Sequence, residues 1–183
     1  TAAPGIGPAD RAYPYRMAEA LGRLLPGTEI SLRVRGTRGL TAAEMVTLVR
    51  QELSLAPADL VIWQTGTNAA IRQMPLDKFD KTLRGGLALG KSLGADFVLM
   101  NLQYVPAVVA APDKEAYEKV MAAAAKDFAA GLFRRYDIMQ SWYEDGMPYA
   151  QFVQLDGLHL NDFGQKCIGK LLTRSILSAL TGP

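Results

Sequence analysis

The chain has 183 residues, 49% of them apolar and 21% charged, as expected of a globular protein with a substantial core. Twenty basic against eighteen acidic side chains leave a net charge of +2, and the longest Lys/Arg run is the pair Arg134-Arg135. A nucleic-acid or membrane-surface role therefore has no electrostatic support.

No apolar run is long enough to span a bilayer. The single cysteine, Cys167, permits no intrachain disulfide. It falls in an apolar helical pattern and is expected in the core. No signal peptide is visible, and a targeting segment removed ahead of Thr1 would leave no trace. Periplasmic, secreted and cytoplasmic locations all stay open.

Residues 1–12 are rich in Gly, Pro and Ala and read as a loop. Tyr15–Leu25 carries apolar residues at helical spacing and is stopped by Pro26-Gly27. Glu29–Val34 alternates as a half-buried strand does. Thr41, with Glu44 three residues on, forms a capping-box signature ahead of a helix. Asp59–Gln64 is a buried strand, followed by the turn Thr65–Asn68. A helix over Leu76–Leu93, a strand over Asp96–Asn101 and a helix over Lys114–Ala130 come next. Leu132–Met139 carries a weaker strand signal, and Asn161–Leu180 closes the chain as a helix capped by Asn161 or Asp162.

Strands alternating with helices, and runs such as DLVIW and DFVLM, argue a parallel sheet covered by helices on both faces. Such sheets bind ligands at the carboxyl ends of their strands. The segments that come after strands therefore draw attention: Arg35–Thr41, Thr65–Asn68, Gln103–Pro106 and the stretch around Asp156.

His159 is the only histidine, in LDGLHLND, three residues after Asp156. Histidine titrates near neutrality and serves as a general base. A loop of one turn can set the carboxylate beside the imidazole, fixing its tautomer. Asn68, after Gly66 in VIWQTGTNAA, could donate to a developing oxyanion, or the segment could be a plain turn. Gly36 and Gly39 lie between a strand and a helix, where backbone N–H groups suit an anion. A turn glycine is the simpler account of Gly36. The spacing matches neither a P-loop nor a dinucleotide fingerprint. Trp63, Gln64, Gln103, Tyr104 and Pro106 lie at or just after strand ends and are candidates for lining a pocket, with Trp63 equally a core residue.

Taken together, Gly39 in GTRGLTAAEM, Gly66-Thr67-Asn68 and Asp156-Gly157-Leu158-His159 resemble, in order, the last three sequence blocks of the SGNH (GDSL-like) hydrolases. That family carries a G-D-S-like block, a glycine, G-x-N-D and D-x-x-H. The resemblance extends over nearly the whole chain, and PGIGPADRAYPYRMAEAL is similar to the stretch after the family's first block. It implies one three-layer α/β/α domain over residues 1–183 with a flavodoxin-like parallel sheet. It further implies serine-dependent hydrolysis of carboxylic esters, small or on a glycan, without metal or organic cofactor. His159 would be the base, Asp156 its orienting carboxylate, and Asn68 and the Gly39 N–H the oxyanion donors.

Two departures stand out. Ala69 follows Asn68 where many members have Asp, and no G-D-S or G-S-S block is present. Of the six serines (Ser31, Ser54, Ser92, Ser141, Ser175 and Ser178), Ser31 falls in a strand and Ser175 and Ser178 in the last helix. Ser92 fits G-x-S-x-G, but with a helix before it and a strand after it, the reverse of what that motif needs. Thr1 as an N-terminal nucleophile has no other support. The resemblance places the serine and the family's central first strand ahead of Thr1. A sheet lacking its central strand would expose two ladders of backbone groups. An N-terminal segment, in a precursor or as a separate piece, is therefore expected to complete it. The alternatives are an inactive domain of this fold that binds a glycan or protein, and a flavodoxin-like nucleotide binder, which the missing phosphate loop disfavours.

Overall fold

A computed structural model of the chain describes residues 9–36 and 39–181. The chain divides into two compact units, Gly39–Asp145 on the one hand and Thr1–Arg38 with Gly146–Pro183 on the other.

The unit Gly39–Asp145 is built on a parallel sheet of β1 (Leu60–Gln64), β2 (Asp96–Met100) and β3 (Gly131–Phe133), in that order. Parallel neighbours need long crossovers, and helices supply them. After α2 (Ala42–Leu55) and β1 come α3 (Thr67–Ile71) and α4 (Leu76–Ser92). Between β2 and β3 run α5 (Pro106–Val109) and α6 (Lys114–Asp127), and α7 (Arg135–Glu144) follows β3. The α/β class expected from the sequence is the one observed. The capping box of α2 forms as expected, with Glu44 N–H donating to Thr41 Oγ1 at 3.3 Å and Thr41 N–H to Glu44 Oε2 at 2.7 Å.

Two glycines let α4 lie close to the sheet. A Cβ on Gly86 would stand 2.5 Å from the Trp63 ring, and one on Gly90 would stand 1.9 Å from the Phe97 ring. The two rings meet edge to face at 6.3 Å. Trp63 is thus a core residue, 4% exposed, and its indole N–H points to Met45 Sδ at 3.2 Å.

In the other unit, α1 (Tyr13–Leu24) packs on α8 (Asp162–Thr181). The Tyr13 N–H, one of the orphan donors at the start of α1, is taken by the buried Gln165 side chain at 3.0 Å. Gly169 admits the Tyr13 carbonyl, which would stand 3.1 Å from a Cβ there. Arg16 pairs with Asp162 at 2.5 Å.

Three expectations are corrected. Glu29–Val34 is not a strand, although Ile30, Leu32 and Val34 are half-buried and Ser31, Arg33 and Arg35 exposed in strict alternation. A strand is defined by its ladder, and the segment pairs with no strand among the described residues. Leu132–Met139 is a strand only to Phe133 and helical from Arg135, and buried Tyr136 and Met139 stand at helical spacing. Cys167 is half-buried rather than deep in the core, and partial burial pushes its thiol pKa up. Among the described residues no helix is long and apolar enough to cross a membrane.

Gly90→Ala should destabilise the fold by about 1–3 kcal/mol, because overpacking Phe97 outweighs the better helix propensity of alanine. Urea unfolding would measure this, and Phe97→Leu added to Gly90→Ala should recover most of the loss. Unchanged stability in the single variant would contradict the close packing.

Candidate active site

Asp156 and His159 sit in a tight hairpin. An antiparallel bridge joins Val153 to Leu160, the Gln154 N–H donates to the His159 carbonyl at 2.7 Å, and the Asn161 N–H to the Phe152 carbonyl at 3.1 Å. The chain reverses at Gly157, whose φ of 66° is left-handed and whose N–H donates to the Gln154 carbonyl at 3.0 Å. Phe152, Val153 and Leu160 are buried at the hairpin base, while Leu155 at its tip is fully exposed. The Asn161 side chain caps the start of α8 by accepting the Gly164 N–H at 3.0 Å.

Within this turn one carboxylate has two roles. Asp156 Oδ1 accepts the backbone N–H groups of Leu158 at 3.0 Å and His159 at 2.9 Å. Oδ2 faces His159 Nδ1 at 2.5 Å. A contact this short between a ring nitrogen and a carboxylate oxygen requires the hydrogen on Nδ1. Nε2 is then the ring nitrogen left to exchange a proton. Burial alone would raise the Asp156 pKa. The hydrogen bonds from the His159 backbone and ring and from the Leu158 backbone outweigh it and bring the value down to about 2. Aspartate beside this histidine is therefore ionised at any physiological pH.

Gly39 and Asn68 lie in the other unit, and the fold brings these two together. Gly66, with φ of 91°, opens α3. Any side chain there would meet Leu102 and Met121 at 2.8 Å, so both the turn and the packing demand glycine. The turn delivers Asn68, whose Nδ2 donates to the Leu40 carbonyl at 2.9 Å, one residue beyond Gly39. Gly39 itself has φ of 75°, and a Cβ on it would stand 3.0 Å from Arg72 Nη2.

Behind Asn68 stands a network that sequence reasoning missed. Arg135 is 1% exposed and donates to the carbonyls of Asn101 at 2.9 Å and Leu102 at 3.3 Å, and to Thr67 Oγ1 at 3.5 Å. The Asn101 side chain accepts the Tyr136 N–H at 3.0 Å and donates to Glu118 at 2.8 Å. Burial, and next the charge of Asp137, push the Glu118 carboxyl up to about 7. In the sequence Arg135 stood out only as half of the pair Arg134-Arg135, within a stretch expected to be a strand.

The candidate pocket residues divide. Gln103 is buried, and Tyr104 packs its ring on Tyr136 at 5.2 Å and on Tyr143 at 5.8 Å. Gln64 is half-buried and Pro106 exposed. Trp63 turns into the core. Gly36, with φ of 154°, has open space around its Cβ position. Ser92 donates its hydroxyl to the Leu89 carbonyl at 2.7 Å, within the last turn of α4. It precedes β2 and so lies at the end of the sheet opposite Gly66 and Asn101. Ser141 similarly bonds back to the Ile138 carbonyl at 2.9 Å. Thr1 lies outside the described residues.

The Asp156 carboxyl should titrate near pH 2, well below the ordinary value of about 3.9. Because the folded pKa is depressed, its stabilising effect is complete above about pH 4 and is lost as the pH falls through about 2. Carbon-detected NMR titration of side-chain carboxyls checks this, and His159→Ala should move the midpoint back towards the ordinary value. A midpoint at or above that value in the unsubstituted protein would contradict the geometry.

Solved structures share this architecture at low sequence identity. The acetylxylan esterase Axe2 from Geobacillus stearothermophilus, as a catalytic mutant, aligns with a TM-score of 0.78 and 19% identity over 90% of this chain and 80% of that one. The psychrotrophic esterase EstA from Pseudoalteromonas sp., inhibited by monoethylphosphonate, gives 0.78 and 18% over 95% and 90%. TesA gives 0.77 and 20% over 97% and 94%. No curated protein matches the chain in sequence. A family model, in contrast, matches residues 1–182, and by that match the chain belongs to the non-GDSL lipase-like family, with the fold of the SGNH hydrolases.

Proposed function

We propose that this protein hydrolyses carboxylic esters by acyl transfer through a serine. The observation that carries the proposal is the Asp156–His159 pair, with its carboxylate pinned by two backbone N–H groups and its imidazole Nδ1 engaged. Structural similarity to Axe2, an acetylxylan esterase, and to EstA, an esterase, supports ester hydrolysis and makes O-acetylated carbohydrate a reasonable substrate class.

In the proposed reaction His159 Nε2 takes the serine proton as the serine oxygen bonds to the ester carbonyl carbon. Asn68 Nδ2 and the Gly39 N–H hydrogen-bond the resulting oxyanion. Collapse breaks the carbon–oxygen bond to the alcohol, which leaves with the proton from Nε2. Water then repeats the sequence on the acyl-enzyme, releasing the acid and restoring the serine. Asp156, ionised throughout, stabilises the imidazolium in both halves.

The nucleophile is proposed to come from a further parallel strand on the side of β1 away from β2. Among the described residues β1 pairs only with β2. Yet Leu60-Val61-Ile62-Trp63 is apolar on both faces, as suits a strand inside a parallel sheet rather than one at its edge. A strand added there would end beside β1's own carboxyl end, next to Gly66.

A fluorophosphonate probe on the natural full-length protein tests the reading, with the adduct located by peptide mass spectrometry. Labelling is expected, on a serine outside these 183 residues. His159→Ala should slow it by at least about a hundredfold, and Asn68→Ala should cut ester turnover by about 100- to 1,000-fold. Folded protein that does not label would overturn the esterase reading and favour a non-catalytic binding domain. An adduct on Ser92 would overturn the placement of the nucleophile alone.

A further inference from the structure

Arg72 stands out as a cation beside both proposed oxyanion donors with nothing in the described chain to neutralise it directly. It caps α3 one helical turn after Asn68, and its N–H donates to the Asn68 carbonyl at 3.1 Å. Residues four apart lie on the same side of a helix. Its Nη2 stands 3.0 Å from where a Cβ on Gly39 would be. The side chain is exposed, and among the described residues it makes no hydrogen bond or ion pair.

The neighbouring carboxylate does not account for it. Glu44 feels the charge of Arg72, but its Oε2 accepts both the N–H and the hydroxyl of Thr41, each at 2.7 Å, and no ion pair joins it to Arg72. Nor does Arg72 act as a clamp on the Gly39 loop, which would require donation to loop carbonyls. Asn68 performs that task through Leu40. A guanidinium left with its fork of donors open, at such a place, is suited to a planar anion brought by the substrate.

We infer that Arg72 is a specificity residue that selects esters carrying a carboxylate a few bonds from the scissile carbonyl. The inference rests on the esterase reading and adds the substrate's charge to it. It places uronate-bearing glycans and half-esters of dicarboxylic acids ahead of neutral esters.

The test compares two substrates of nearly the same shape, p-nitrophenyl hydrogen succinate and p-nitrophenyl methyl succinate, on the natural full-length protein. The quantity read is the ratio of their kcat/KM values. In Arg72→Gln the preference for the charged ester should fall by about tenfold. Arg72→Glu should reverse it, and Arg72→Lys should keep part of it, since lysine retains charge without the fork. Salt near 0.5 M should shrink the preference in the unsubstituted protein and leave Arg72→Gln unmoved. A ratio unchanged in Arg72→Gln would overturn the inference, as would protein that labels with fluorophosphonate but ignores the charged ester. Protein that fails to label overturns the esterase reading itself. Because Arg72 is exposed, all three variants should keep the parent's melting temperature, and if Arg72→Gln does not, Arg72→Glu and Arg72→Lys carry the comparison.

Discussion

The carboxyl end of a parallel sheet is a row of backbone carbonyls that the strands themselves no longer use, and here a buried guanidinium takes up two carbonyls just beyond it. Arg135 bonds to the carbonyls of Asn101 and Leu102, just beyond β2, and reaches the hydroxyl of Thr67, just beyond β1. It does so from the start of α7, just beyond β3. One side chain therefore ties together the segments that leave all three strands. A fully buried charge is tolerated only with its donors well engaged. The same engagement fixes Thr67, and with it the next residue, Asn68. Asn101 extends the lattice by holding the Tyr136 N–H and Glu118. The turn bearing Asn68 is thus placed by groups distant from it in sequence as well as by the glycine that opens it.

The Asp156–His159 hairpin follows the opposite plan. Everything that orders it lies within a few residues: the bridge from Val153 to Leu160, the left-handed Gly157, and the two N–H groups on Asp156 Oδ1. This difference explains what could be read from the sequence. D-x-x-H was legible as an imidazole beside a carboxylate because a three-residue spacing already contains the geometry. The approach of Asn68 to Leu40 spans 28 residues and entered only through the order of the family's blocks. Arg135 and Asn101 meet across 34 residues and left no local mark.

The fold divides on the same line. β1 and β2 were legible because a short unbroken apolar run needs no partner's identity to be recognised. Glu29–Val34 kept its alternating burial but not its expected ladder, since alternation describes one chain and a ladder requires two. Leu132–Met139 failed because its apolar residues change spacing in mid-run. Leu132 and Phe133 continue a sheet, whereas Tyr136 and Met139 mark a helix, and a short window merges them. The glycines of α4 were invisible as packing residues. Gly90 reads as part of a nucleophile motif in sequence and proves to be the gap into which Phe97 fits.

The departure at Ala69 falls at a closely packed position. Where many SGNH hydrolases carry aspartate after the asparagine, this residue is 5% exposed, and its neighbour Ala70 is fully buried. The Ala69 carbonyl accepts the Met74 N–H at 2.9 Å, closing the loop that leads to α4. A carboxylate at that buried position would need its own donors, and an unpaired buried charge is strongly disfavoured. Alanine fits this buried position while Asn68 bonds to Leu40. Asn68 and the residue after it answer to different constraints, so the second can change without disturbing the first.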